Sequence, residues 1–169
     1  PAPGCEHHIS HLIEMGPDAF AFRSNALHGE KVGVGTILAS KAYHRLAQVE
    51  DIAPHVRPYS FLPEDEVRSF YGEKLYPSIQ EENKADCMAD VTPEMLIQAW
   101  PAIREIISAI PSSEELYDLY SRIGAKKTLA DIQAPDEALP QLLHYSPSAR
   151  NRLTLMRTAW MLDIPLTDE

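Results

Sequence analysis

A chain of 169 residues with 44% hydrophobic content is long enough to enclose one core. Its 25 acidic residues against 15 basic ones, a net charge of −10, argue against nonspecific contact with nucleic acid or anionic lipid. No apolar run is long enough to cross a bilayer and no signal-peptide pattern stands at the start, so no membrane partner and a cytoplasmic location are expected. Cys5 and Cys87 match neither a zinc ribbon nor a redox pair and read as free thiols.

The elements are helical throughout. Ile9, Leu12, Ile13 and Met15 recur at helical spacing, and Gly16-Pro17 stops that segment. After a loop over residues 17 to 26, a long helix is predicted from about Leu27 to Ile52, broken by Pro54 and Pro58. Pro63-Glu64-Asp65-Glu66, Thr92-Pro93-Glu94 and Ser112-Ser113-Glu114-Glu115 are helix starts, with proline in the first turn or acids at the positive end of the dipole. The last of these runs to Gly124. A short helix is predicted from Asp136 to His144, closing before Pro147, and a last long one over residues 148 to 162. No strand alternation persists, so the fold class is all-α, a helical bundle forming a single domain over residues 1 to 169.

Four of the seven histidines fall in the first 28 residues. Glu6-His7-His8-Ile9-Ser10-His11 places His7 and His11 on one helix face, four residues apart. Leu27-His28-Gly29-Glu30-Lys31-Val32-Gly33-Val34-Gly35-Thr36 supplies a third imidazole with glycine directly behind it. Nitrogen donors brought in from neighbouring elements suit a divalent metal. The metalloprotease pattern fails, because residue 8 is histidine where a glutamate base is needed. Gly33-Val34-Gly35 lacks the third glycine and the preceding strand of a dinucleotide loop and reads as a close-packing or substrate-access feature. Gly29 is read as room for substrate or backbone to approach, and Glu30 and Lys31 as solvated helix residues. His8 reads as structural, and His44, His55 and His144 carry no pattern. Arg150 and Arg152 suit phosphate, but capping or surface pairing of the last helix is the commoner use, and both stay outside the predicted site.

The two histidine segments resemble the metal-binding half of the sn-glycerol-1-phosphate dehydrogenase family. That family lies within the iron-containing alcohol dehydrogenase superfamily, alongside glycerol dehydrogenase and 3-dehydroquinate synthase. Arg150-Asn151-Arg152-Leu153-Thr154 is similar to the family stretch that opens its last helix, whereas residues 51 to 131 carry no motif. The resemblance implies that His7 and His28 are metal ligands and that His11 is a catalytic proton carrier. It also implies that an aspartate of an N-terminal nucleotide-binding α/β domain is the third protein ligand. It places Pro1 inside the metal-binding helix and this chain in the C-terminal half of a larger enzyme, the N-terminal domain lying outside it. The implied cofactors are a divalent metal, zinc by default with nickel or iron as alternatives, and NAD(P) bound mainly by that other domain. The implied substrate is a small phosphorylated polyol, and a homo-oligomer is compatible with the sequence. The isolated chain is expected to be inactive. Two alternatives stay open: a glycerol or other polyol dehydrogenase of the same superfamily, and a non-catalytic helical interaction module.

Overall fold

The structure, a computed structural model, describes residues 4–168. Its described residues form helices and tight turns, with one isolated antiparallel bridge between Val56 and Leu162 and no strand, as the sequence leads one to expect. No described helix is long and apolar enough to cross a membrane.

Helix α1 (Cys5–Met15) buries Ile9, Leu12 and Ile13 and ends at Gly16, whose left-handed φ of 61° lets the chain turn sharply away. The expectation that Pro1 already lies in this helix falls outside the described residues. Helix α2 (His28–Ala47) packs along α1 and supplies Val34, Ala39 and Ala42 to the same core. It stops five residues before the predicted Ile52. The carbonyls at and just past its end are taken by side chains instead, Ala47 accepting from Arg104 at 2.8 Å and Val49 from Trp100 Nε1 at 2.8 Å. Exit groups satisfied from outside need no further helical turn.

Helices α3 (Glu64–Tyr71) and α4 (Tyr76–Glu82) follow, the second without a counterpart in the sequence reading. Helix α5 (Pro93–Ser108) begins where Thr92 accepts from the Met95 amide, and α6 (Ser113–Ile123) begins in a Ser112/Glu115 capping box and ends at left-handed Gly124. Helix α7 (Leu139–Tyr145) continues a short 3-10 turn over Asp136–Ala138 and runs into another at Ser146–Ala149, so Pro147 sits inside a tight turn rather than beyond a helix.

The predicted long helix over 148 to 162 does not form. In its place stand an extended stretch, the four-residue α8 (Leu155–Thr158) and a 3-10 turn. Arg157 pins the entry to this stretch from inside: it is fully buried, and its Nη1 is 2.9 Å from the Pro147 carbonyl and 3.4 Å from that of Arg150. The Arg150 carbonyl also accepts from the Arg152 amide at 2.9 Å, a tight turn in place of the i to i+4 bond of an α-helix. Asn151 holds the strap from its other side, its amide donating to Ala85 O at 2.6 Å and its carbonyl accepting from Cys87 N at 2.9 Å.

Gly33-Val34-Gly35 is a packing feature. A Cβ on Gly35 would stand 2.7 Å from the Glu6 carbonyl oxygen, so only glycine lets the two helix backbones approach this closely. Gly35→Ala must push α1 away from α2, and a loss of about 1–3 kcal/mol is expected from the overpacking. Chemical denaturation is the check, and an unchanged midpoint would show that the contact yields without cost.

Candidate metal centre

The α1–α2 pairing that Gly35 permits brings the face of α1 that carries His7, His11 and Glu14 against the first turn of α2. His7, His11 and His28 meet there. Their ring centroids lie 5.6 Å apart for His7–His28, 5.8 Å for His11–His28 and 6.5 Å for His7–His11. The structure thus brings together all three histidines that the sequence singles out. They are reachable from solvent, His28 being half exposed and His7 and His11 about a quarter to a third.

Each ring has its Nδ1 against a carboxylate. His7 Nδ1 lies 2.8 Å from Glu6 Oε1, His28 Nδ1 2.8 Å from Glu14 Oε1, and His11 Nδ1 3.5 Å from Glu14 Oε2. Ser10 Oγ donates to Glu14 at 3.2 Å and lies 3.3 Å from His28 Nδ1. Lys31 Nζ completes the group at 3.4 Å from Glu14. Lys31 is buried, which corrects its reading as a solvated residue: the close helix pairing covers its stem and leaves its charge on Glu14. Glu30 reaches back to the Leu27 amide at 2.8 Å and holds the start of α2. Gly29 faces open space, with no atom within 4 Å of a Cβ built there, so no backbone approaches it.

The electrostatics follow from these contacts. Burial would raise the Glu14 carboxyl, but the His28 hydrogen bond and the charge on Lys31 outweigh it and hold the group below the usual range. His11 is pulled down, first by burial and then by the charge of Arg150, with Glu14 opposing. His8 is wholly buried on the opposite face, its ring nitrogens without a hydrogen-bond partner among the described residues, and burial pushes it down to about 4. It is a neutral core residue, as its reading implied. His44 and His144 are also structural, bonded to the Ile110 carbonyl and to Glu66.

The donor set can be tested against a metal ion. Imidazoles sharing one ion through ~2.1 Å bonds have centroids about 5–6 Å apart, and His7 and His28 stand at 5.6 Å. A carboxylate on Nδ1 leaves Nε2 as the lone-pair donor, the usual companion of a metal-binding histidine. The two residues therefore fit as part of a site. They do not complete one: among the described residues no three His, Cys, Asp or Glu side chains form a group able to hold an ion alone.

Sequence reasoning missed Glu14 and Lys31 as members of the site, gave Ser10 no role within its motif, and left Arg150 outside. Glu14 had a signal, since positions 7, 11 and 14 share one helix face. Lys31 had none, and the approach of Arg150 to His11 was not readable from its motif, because burial and approach depend on how distant segments pack.

An all-helical chain that presents an imidazole cluster at the crossing of its first two helices is consistent with the helical domain of the iron-containing alcohol dehydrogenase fold. Comparison with known proteins finds likeness to glycerol-1-phosphate dehydrogenases at the level of sequence. The chain is 29% identical over 161 residues to the glycerol-1-phosphate dehydrogenase [NAD(P)+] of Halalkalibacterium halodurans, and 27% identical over 157 residues to that of Geobacillus stearothermophilus. Each match covers 92% of this chain and 31% of the relative, so the chain spans about a third of their length. The corresponding Bacillus subtilis protein is 41% identical over a shorter 75-residue stretch. The likeness to the glycerol-1-phosphate dehydrogenases thus runs through nearly the whole chain and is not confined to the two histidine segments. No family model and no solved structure matches.

Proposed function

We propose that this chain is the metal-binding helical part of an NAD(P)-dependent glycerol-1-phosphate dehydrogenase, interconverting dihydroxyacetone phosphate and sn-glycerol 1-phosphate in the cytoplasm. The observation that carries the reading is the meeting of His7, His11 and His28 at one helix crossing, in a chain similar over 92% of its length to enzymes of that name. His7 and His28 offer two imidazole nitrogens to a divalent ion, and the remaining protein ligand comes from outside this chain. When bound, such an ion supplies Lewis acidity, lowering the pKa of the secondary alcohol or polarising the ketone. His11, 5.8 Å from His28 between ring centroids and partly open to solvent, relays the hydroxyl proton away from the site. NAD(P) is held outside this chain, whose described helices include no glycine-rich phosphate loop following a strand.

The test is turnover by the whole enzyme with NAD(P)+ and either sn-glycerol 1-phosphate or glycerol. Preference for the phosphorylated substrate is expected. Equal or better use of free glycerol would move the assignment to a polyol dehydrogenase. The 169-residue chain alone is expected to bind NAD(P) weakly or not at all, and micromolar binding in a calorimetric titration would contradict the placement of the cofactor outside it.

A further inference from the structure

We propose that Glu14 is a positioning residue that sets the His28 ring as a metal donor, with Lys31 as its buried counter-ion. The inference rests on the metal-binding reading above and deepens it, since neither residue belongs to the predicted ligand set. Glu14 occupies the last turn of α1, where the helix offers no basic residue and its dipole disfavours a carboxylate. It nevertheless gathers four partners from two helices: His28 Nδ1 at 2.8 Å, Ser10 Oγ at 3.2 Å, Lys31 Nζ at 3.4 Å and His11 Nδ1 at 3.5 Å. The N-terminal turn of α2 lies opposite, so the carboxylate bridges a negative helix end to a positive one. His28 and Lys31 are three residues apart on that turn and reach the same oxygen, Oε1.

The distances decide between a ligand and a support. Two donor atoms bound to one tetrahedral ion at ~2.1 Å stand about 3.4 Å apart. Glu14 Oε1 and His28 Nδ1 are 2.8 Å apart, the length of a hydrogen bond. Nδ1–H therefore donates to Glu14, and the lone pair lies on Nε2, directed away from the carboxylate. Lys31 matters because its side chain is only 8% exposed and its Nζ lies 3.4 Å from Glu14 Oε1, so the carboxylate faces a buried ammonium at close range. Removing Glu14 takes the carboxylate away from buried Lys31. Without Glu14 the half-exposed His28 ring keeps only the longer 3.3 Å contact of Nδ1 with Ser10 Oγ, and rotates and exchanges tautomers more freely.

The experiment uses the metal-free 169-residue chain and long-range proton–nitrogen NMR of its imidazoles, which reports the tautomer with no metal or activity involved. His28 should carry its proton on Nδ1 in the native chain. In Glu14→Ala it should shift to the tautomer mixture of a solvent-exposed ring, and Glu14→Gln, whose amide oxygen still accepts, should retain most of the native state. In parallel, cobalt(II) titration of the whole metal-free enzyme, followed by its visible spectrum, should show affinity falling about 10–100-fold in Glu14→Ala and less in Glu14→Gln. Thermal melts confirm that each variant is folded, and the near-isosteric Glu14→Gln keeps the test usable if Glu14→Ala is not. A native tautomer in folded Glu14→Ala would overturn the proposal. So would a cobalt loss as complete as that of His28→Ala, which would make Glu14 a ligand. If the whole native enzyme binds no cobalt, the metal reading fails while the tautomer measurement still decides the role of Glu14.

Discussion

Arg157→Ala should cost about 3–5 kcal/mol of stability, the scale for breaking a buried ion pair by removing one member. The guanidinium is fully buried and lies 2.9 Å from Asp86 Oδ1, 2.9 Å from Asn83 Oδ1 and 2.9 Å from the Pro147 carbonyl. Phe61 and Trp160 rings stand 5.4 and 5.3 Å from it. Its loss strips a partner from Asp86, from Asn83 and from the strap that replaces the predicted last helix. Arg157→Lys should recover only part of this, because an ammonium cannot span the same set of acceptors. Denaturant unfolding measures both variants, and a loss below about 1 kcal/mol in Arg157→Ala would show that the strap holds without its guanidinium.

The same pair gives a pH dependence of known sign. Burial would raise the Asp86 carboxyl, but the Tyr59 hydrogen bond and the Arg157 charge outweigh it and hold the group below the usual range. A carboxyl depressed on folding contributes stability that is fully present above its unfolded value, about pH 4, and is lost as pH falls through the lower folded value. Asp86→Asn should flatten that acid limb.

His11→Ala should retain the metal and slow the whole enzyme by ~10²-fold or more, the scale of general acid–base assistance. His11 is the member of the cluster least committed elsewhere, with its carboxylate contact at 3.5 Å against 2.8 Å for the other two histidines. A ring so placed has the freedom to exchange a proton with solvent. Steady-state kinetics beside metal analysis tests this. Loss of metal together with rate would make His11 a ligand, and an unchanged kcat would remove it from the chemistry.

Helix starts and stops were legible because their causes are local. Thr92, Ser112 and Glu115 cap by bonds to amides three residues away, and Gly16 and Gly124 adopt the left-handed turn that any reader of glycine would place there. The end of α2 and the absence of a long last helix were not legible, because Trp100, Arg104 and Arg157 take carbonyls far from them in sequence or turned out of the ladder. The site divides in the same way. The histidines declare themselves by spacing and motif, and Glu14 lies on their helix face. Lys31 has the sequence signature of a surface residue and becomes a buried cation only once Gly35 lets α1 and α2 close over it.

Metal content decides the central assignment most directly. The enzyme carrying this chain is purified as the native protein, as His28→Ala and as His7→Ala, and divalent metal per protomer is measured with folding confirmed by circular dichroism. Bound metal in the native protein and its loss, with activity, in each folded variant is the expected result, since each removes one of the imidazole donors that stand 5.6 Å apart. Full metal occupancy in folded His28→Ala would contradict the assignment.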